Sequence, residues 1–457
     1  MKLLHISLGC DKNLVDSEHM LAIMADAGYE ITDDENEADV IVVNTCCFIH
    51  DAKPESIDTV LEMARLKDNK LKALIVCGCL AERYREEIQT EIPEVDAIIG
   101  TNGWEKIAEV IGDVLAGRTD EADTGESDTV RPDGRPVKID HKSATYGKRI
   151  ITTPGHYEYL KIAEGCDKNC TYCIIPKIRG HYRSVPMEEL ISQAHYLAGQ
   201  GVKELILVAQ ETTIYGTDIY GRKSLPELLC KLSEIDGIEW IRILYAYPEE
   251  VTDELIDIMS TNPKICHYID IPIQSGSDPV LRRMGRRTDQ KQIRDVIEKL
   301  RSRIEDISIR TTLISGFPGE TQEDFEETYR FVNEMEFDRL GVFTYSAEEG
   351  TAAYDFEPKV DEDVAKSRRD ELYELQQAIA YEAAEQMTGK KLRVIVDGYL
   401  PDDDVYVARS YKDAPDIDGL VFVYSDRELV TGDMVTVEIK DAKEYDLEGV
   451  LTDESAQ

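Results

Sequence analysis

Short apolar runs at residues 3–8, 40–43 and 73–76 alternate with helical periodicity at 16–27, 55–66 and 80–87. Each run is too short to be a helix, so the opening hundred residues predict βα repetition, continued by a strand at 95–99 and a helix after Thr101. Residues 1–117 thus predict a small, doubly wound parallel α/β domain. Residues 118–150 turn acidic, with Pro132, Gly134 and Pro136 as breakers, and predict a linker. Six further β-like runs follow at 159–163, 204–209, 240–245, 268–273, 307–314 and 340–345, with helical patterns at 187–198, 225–234, 289–301 and 322–335. Six βα units fall short of the eight that close a full barrel, so residues 151–386 predict an open, partial (βα)6 barrel. A charged helix over 361–387, carrying Leu372, Leu375, Ile379 and Ala383, would close it. Residues 387–457 change to short β-rich runs at 392–396, 405–408, 420–424 and 434–439, which predict a small antiparallel β-barrel.

Composition narrows the function classes. A chain of 457 residues is sized for two to four domains. Its 52 Lys plus Arg stand against 92 Asp plus Glu, a formal charge of −40 that repels phosphates and excludes bulk nucleic-acid binding. No apolar run approaches the ~18 residues that span a bilayer, so no membrane association is expected. The stretch from Lys2 to Cys10 superficially resembles a lipoprotein leader, but it is too short and carries His5. A cytoplasmic protein is expected, in which ten cysteines signal metal or redox chemistry.

Three of those cysteines, Cys166, Cys170 and Cys173, form a C-x3-C-x2-C loop directly after the first strand of the second βα series. Three thiolates on a tight loop can hold three irons of a cubane cluster and leave the fourth open. An amino-carboxylate chelating that iron would place a sulfonium where one electron could break its carbon–sulfur bond. A structural zinc with His181 as fourth ligand is the plainer alternative, though zinc sites usually pair two knuckles and no second one exists here. Tyr172, between two of the cysteines, could stack on an adenine. The loop resembles the signature of the radical S-adenosylmethionine superfamily.

Cys10, Cys46 and Cys79 are spaced by one βα unit each time, and each closely follows an apolar run. In a parallel sheet such strand ends share one edge, which suits a second three-cysteine cluster. The alternative is three buried structural cysteines. Cys47, Cys77, Cys230 and Cys266 read as core filler, with Cys47 turned away from Cys46 by strand alternation.

The stretches Gly9-Cys10-Asp11-Lys12-Asn13-Leu14-Val15-Asp16-Ser17-Glu18, Asn44-Thr45-Cys46 and Gly78-Cys79-Leu80-Ala81, with the C-x3-C-x2-C loop, resemble the methylthiotransferases over the entire chain. The resemblance implies an auxiliary 4Fe–4S cluster on Cys10, Cys46 and Cys79, a radical 4Fe–4S cluster on the central barrel and a C-terminal TRAM-like domain that contacts substrate. It implies two S-adenosylmethionine molecules per turnover. One methylates a sulfur associated with the auxiliary cluster, and the other yields a 5′-deoxyadenosyl radical that abstracts hydrogen from an unactivated carbon. An electron donor and a sulfur donor are implied as partners.

Within the family, tRNA-modifying branches commonly read Gln-Met-Asn after the first cysteine, whereas the branch acting on a ribosomal protein reads a Lys-Asn pair. Lys12 and Asn13 fit the latter, which implies modification of the β-carbon of an aspartate in small-subunit ribosomal protein 12. Residues 386–457 add a vote, holding 8 Lys plus Arg against 17 Asp plus Glu, the wrong sign for an RNA backbone and the right one for a basic ribosomal protein. A methylthiotransferase acting on isopentenyl- or threonylcarbamoyl-adenosine in tRNA is the alternative, and a non-catalytic iron–sulfur electron carrier a remoter one.

Gln210 and Glu211, with Thr212 and Thr213, follow one barrel strand, Gln274-Ser275-Gly276-Ser277 another, and Gly316-Phe317-Pro318-Gly319-Glu320-Thr321 a third. The last two stretches are similar to family motifs, and Gln210, Glu211, Gln274, Gly276 and Gly316 are expected to approach the adenosyl ligand. The plainer reading of each is a βα turn with a helix cap. Arg282, Arg283, Arg286 and Arg287 form a local basic cluster that either pairs with carboxylates or meets the substrate aspartate.

Overall fold

The structure, a computed structural model, describes residues 1–47, 52–117 and 148–452. Of the linker expected over 118–150, residues 118–147 lie outside that range. Two compact units emerge, one of Met1–Thr152, Glu164–Asn169 and Cys173–Gln193, the other of Thr153–Ala163, Cys170–Tyr172 and Ala194–Gln457. The division cuts across the ranges expected from sequence, since 164–169 and 173–193 group with the first unit.

In the first unit, strands β1 (Lys2–Ser7), β2 (Glu30–Ile31), β3 (Val40–Thr45), β4 (Ala73–Gly78) and β5 (Ala97–Ile99) form a parallel sheet in the order β2-β1-β3-β4-β5. Both β3 and β4 are buried along their whole length, as central strands of a parallel sheet are when both faces are covered. Alternation sends Ile41, Val43, Leu74 and Val76 into the core on one face, and Val40, Val42, Ala73 and Ile75 into the core on the other. Cys47 joins the first set and Cys77 the second. The helix expected from residue 16 begins at Asp11, because buried polar residues, Lys12 and Asn13 among them, form its first turn. The single helix expected over 80–87 is two, Cys79–Arg83 and Arg85–Glu91, parted at Tyr84.

The central strands are β6 (Tyr157–Lys161), β9 (Glu204–Val208), β10 (Trp240–Ile243), β11 (Ile265–Asp270), β12 (Ser308–Ser315) and β13 (Arg339–Thr344), with the two-residue strands β7 (Ala163–Glu164) and β8 (Arg183–Ser184) falling between β6 and β9 in the chain. They form an open sheet, every pair parallel, in the order β13-β12-β11-β10-β9-β6. Strand β11 starts before the expected residue 268 and stops short of Pro272, which has no N–H for a ladder. Helix Glu362–Glu385 lies on edge strand β13, where the Tyr373 hydroxyl accepts from Val342 N at 3.1 Å and donates to Val342 O at 3.0 Å. That single side chain satisfies edge backbone that would otherwise be left to solvent. Among the described residues no helix is long and apolar enough to cross a membrane.

The C-terminal strands β14 (Lys391–Leu400), β15 (Val405–Ser410), β16 (Val421–Tyr424), β17 (Met434–Lys443) and β18 (Asp446–Leu451) close a barrel in the order β14-β15-β16-β18-β17. All its pairs are antiparallel except β16 with β18. The N-terminal ends of the central strands are tied to this barrel by buried charge. Glu204 accepts from Arg242 Nε at 2.7 Å and from Arg409 Nη1 at 2.9 Å, while Asp397 accepts from Arg409 Nε at 2.8 Å and lies 2.6 Å from His156 Nε2. Burial would raise both carboxyls. The guanidiniums of Arg409 and Arg242 outweigh it for Glu204, as His156 and Arg409 do for Asp397, and both lie below the ordinary carboxylate value. A depressed folded-state value stabilises the fold above the ordinary carboxylate range, and that stability is lost as pH falls through the depressed value. Glu204→Ala takes the carboxylate from buried Arg242 and leaves Arg409 with that of Asp397, and is expected to cost about 3–5 kcal/mol at neutral pH by chemical denaturation. The gap from the parent should narrow once pH falls below about 4; a gap that stays constant with pH would assign the loss to packing instead.

Candidate functional site

Strands β1, β3 and β4 are adjacent and in register, Ser7 beside Asn44, Asn44 beside Cys77 and Thr45 beside Gly78. The turns that follow therefore bring Cys10, Cys46 and Cys79 to one sheet edge. Cys10 is the N-cap of helix Asp11–Asp26 and Cys79 opens helix Cys79–Arg83. A helix N-terminus favours negative charge, which a thiolate-ligated group carries.

Side-chain hydrogen bonds hold these turns. Asn13 Nδ2 donates to Leu8 O at 2.9 Å and to Thr45 O at 3.0 Å. Asn44 Nδ2 donates to Asn13 O at 3.0 Å and to Ser17 Oγ at 2.9 Å. Ser56 Oγ accepts from Cys46 N at 3.0 Å and donates to Cys46 O at 2.8 Å. Gly9, at φ +94°, has no room for a side chain, since a Cβ there would stand 2.9 Å from Cys46 Sγ.

Burial pushes the Cys79 thiol up to about 12; the Arg179 guanidinium opposes this, and the thiols of Cys10, Cys46 and Cys47 reinforce it. Cys79 therefore feels both other cysteines of the set. Among the described residues no three His, Cys, Asp or Glu side chains stand together as ligands of one metal ion. The thiolates of a cubane bind different irons and stand farther apart than the ligands of one ion, so three cysteines gathered at one sheet edge suit a cluster better than a single ion.

The C-x3-C-x2-C loop divides between the units, Cys166 and Cys173 in the first and Cys170 in the second. In the first, Cys166 N donates to Gly180 O at 3.2 Å, and Lys168 N donates to Cys166 Sγ at 3.5 Å. His181, the ligand a zinc site would need, is almost fully exposed and sits 2.7 Å from Asp167 Oδ1.

In the second unit Cys170 Sγ is 3.9 Å from the Tyr247 hydroxyl. Thr171 is clamped, its N donating to Met284 O at 2.9 Å and its Oγ1 to Arg283 O at 2.9 Å. The Tyr172 ring meets Phe317 edge-on at 6.5 Å. Arg286 is buried, stacks on Tyr247 at 4.4 Å and donates through Nη2 to Pro272 O at 2.9 Å. Burial opposes its charge, yet Tyr172, Tyr247, Cys170 and Glu249 keep it protonated. Of the arginine cluster, Arg286 has the partners just named, and Arg283 Nη2 donates to Glu357 O at 3.0 Å while its charge helps lower the Asp324 carboxyl.

Gln210, Glu211, Gln274, Gly276 and Gly316 follow β9, β11 and β12 at the carboxyl edge of the central sheet. Glu211 is buried and accepts from Thr213 Oγ1 at 3.2 Å, while Thr213 Oγ1 accepts from Tyr247 N at 3.2 Å. Gln274 holds φ +73°, its backbone bonded to Thr312 O and Ile314 N. The two glycines also meet a packing demand: a Cβ at Gly276 would lie 2.9 Å from Phe331 Cβ, and one at Gly316 would run into Ala365, each on a helix packed against the turn. Cys230 is corrected, being exposed on helix Leu225–Ser233, whereas Cys47, Cys77 and Cys266 are buried.

The sequence reading missed Arg179, Tyr247 and Ser56 entirely, and quoted Asn13 and Asp16 only within a motif. For the last two a signal existed, because polar residues at 13, 16 and 17 share one helix face, a pattern that marks a buried polar network.

Three family models match in order: Uncharacterized protein family UPF0004 over residues 2–100, the Radical SAM superfamily over 160–332 and the TRAM domain over 388–451. Among solved structures, a radical S-adenosylmethionine methyltransferase, TsrM, from Kitasatospora setae shares the fold at TM-score 0.56 and 13% identity, covering 77% of this chain and 74% of that one. Fold and family models together define a radical S-adenosylmethionine fold that carries a TRAM domain. A protein of Lachnoclostridium phytofermentans named ribosomal protein uS12 methylthiotransferase RimO is 57% identical over 98% of this chain and 99% of its own length. One of the same name from Thermoanaerobacter sp. is 50% identical over 97% and 98%. The chain belongs to this RimO family of methylthiotransferases.

Gly276→Ala separates packing from ligand approach. Packing alone is expected to destabilise the fold by about 1–3 kcal/mol in thermal or chemical unfolding while leaving S-adenosylmethionine affinity unchanged. A fall in affinity at unchanged stability would assign Gly276 to ligand approach instead.

Proposed function

We propose that this protein installs a methylthio group on the β-carbon of an aspartate of ribosomal protein uS12. The observation that carries the proposal is the arrival of Cys10, Cys46 and Cys79 at one edge of a parallel sheet, in a chain that also bears the C-x3-C-x2-C loop. Near full-length similarity to proteins named for that activity supports it. Cys10, Cys46 and Cys79 hold an auxiliary 4Fe–4S cluster, and Cys166, Cys170 and Cys173 the radical one. When bound, the two clusters and S-adenosylmethionine supply one-electron carbon–sulfur cleavage and methyl transfer to sulfur.

The protein's own residues orient and shield these groups. Asn13 and Ser56 fix the turns that carry the auxiliary thiols, and the Tyr247 hydroxyl lies against Cys170. Arg286 offers a buried cation beside Cys170 and Tyr172, suited to a carboxylate. Tyr172, Gln210, Glu211 and Gln274 border the adenosyl ligand. Residues 1–117 act as the auxiliary-cluster domain, 118–150 as linker, 151–386 as radical barrel and 387–457 as the TRAM-like domain that meets substrate. The acidic chain suits a basic ribosomal protein in the cytoplasm, served by an electron donor and a sulfur donor, and disfavours bulk nucleic acid.

Anaerobically reconstituted protein is expected to hold about eight irons, falling to about four when Cys166, Cys170 and Cys173 are replaced by alanine. Given S-adenosylmethionine, reductant and a sulfide source, it should release 5′-deoxyadenosine and add a methylthio group to uS12, detected by mass spectrometry, but not to isopentenylated tRNA. An adduct on tRNA alone would reverse the substrate assignment, and no 5′-deoxyadenosine would reduce the protein to a passive electron carrier.

A further inference from the structure

Arg179, on the segment that leaves the C-x3-C-x2-C loop, is 2% exposed. Its Nη2 donates to Cys79 Sγ at 3.5 Å and also to Asn13 Oδ1. Its Nη1 donates to Asp16 Oδ2 at 3.0 Å and to Glu164 Oε2 at 2.9 Å. All five residues lie in the first unit. The partners have second tasks: Asn13 holds the carbonyls of Leu8 and Thr45, next to the cysteine turns, and Glu164 lies two residues before Cys166. The guanidinium thus meets a thiol and not only carboxylates and an amide.

We propose that Arg179 is a positioning residue for the auxiliary cluster, and that its N–H···S bond to Cys79 and its buried charge raise that cluster's reduction potential. The inference rests on Cys10, Cys46 and Cys79 being the cluster ligands. A cluster gains one negative charge on reduction, so a donor to a ligand sulfur and a nearby cation both favour the reduced form. Asp16 and Glu164 act in the opposite sense, and in a buried site of low dielectric neither sign is screened as it is in water. Two carboxylates beside a reducible cluster would hold it oxidised; Arg179 offsets them and adds the hydrogen bond. An arginine that merely stapled Asp16 to Glu164 would need no contact with sulfur. The opposite signs of Arg179 and Asp16 give the test its discriminating power.

The experiment uses the full chain with Cys166, Cys170 and Cys173 replaced by alanine, reconstituted anaerobically with iron and sulfide and titrated under electron paramagnetic resonance. The parent of this series should hold about four irons. R179Q is expected to keep them while the reduced-to-oxidised ratio at fixed poise falls about tenfold, a negative shift of about 59 mV for a one-electron couple. R179K, which keeps the charge but not the fork, should recover part of the shift, and D16N should move the potential the other way. Unchanged potentials, or shifts of the same sign in R179Q and D16N, would overturn the inference. So would loss of iron from both R179Q and R179K at unchanged far-UV circular dichroism, which would assign Arg179 to assembly. A parent without iron would instead overturn the ligand assignment, and this inference with it.

Discussion

The amide of Asn13 donates to the carbonyls of Leu8 and Thr45, and the first unit's chemistry depends on that pair of bonds. A parallel sheet delivers its strand ends to one edge for reasons of topology alone, but it leaves the turns beyond them free to differ. Asn13 removes that freedom by joining the turn before Cys10 to the one before Cys46 with a single buried side chain. Its remaining acceptor, Oδ1, receives Arg179, which also reaches Cys79. One asparagine and one arginine thus bridge all three cysteine-bearing turns. An unmet donor or acceptor at such depth costs about 1–3 kcal/mol, enough to specify the arrangement.

The use of arginine follows from where charge is buried. The chain is strongly acidic overall, yet its most deeply buried cations are arginines: Arg179, Arg242 and Arg409 are each no more than 2% exposed. Each faces more than one acceptor at fixed angles. Arg149 grips a single oxygen of Glu18 through Nε and Nη2, and the other oxygen accepts from Thr152 N at 2.7 Å. A planar fork meets several partners with little further loss of freedom, which a lysine ammonium on a flexible stem does not. In the second unit this chemistry joins a parallel sheet to a closed barrel, and in the first it surrounds thiols.

The parts legible in the sequence were those that repeat. Apolar runs at βα spacing gave the sheets, and cysteines at the same spacing gave the edge where they gather. Arg179 was illegible because its partners Asp16, Asn13 and Cys79 lie 163, 166 and 100 residues away, and nothing local distinguishes it from a surface arginine. Strand β18 was missed because Asp446, Glu448 and Gly449 interrupt its apolar pattern, though it lies between β16 and β17 in the barrel. At Gly276 and Gly316 the helix contact was not legible, since a backbone that approaches a ligand and a backbone pressed by a helix both demand glycine. The contacts of a hypothetical Cβ reveal the second demand.

The Gly316 to Thr321 stretch shows how a motif can act on a site through the side chains its turn holds in place. Thr321 caps helix Gln322–Met335, accepting from Asp324 N at 3.2 Å, and Glu320 accepts from Gly316 N at 3.1 Å and from Arg368 Nη1 at 2.6 Å. Those bonds fix the backbone and so fix Phe317, which is fully buried. Phe317 meets Tyr172 at 6.5 Å, Tyr345 at 5.3 Å and Phe356 at 6.4 Å, each edge-on, a geometry aromatic quadrupoles favour. The effect of the motif on the C-x3-C-x2-C loop therefore runs through an aromatic contact with Tyr172. The orientation of that ring is set by a turn more than 140 residues further along the chain.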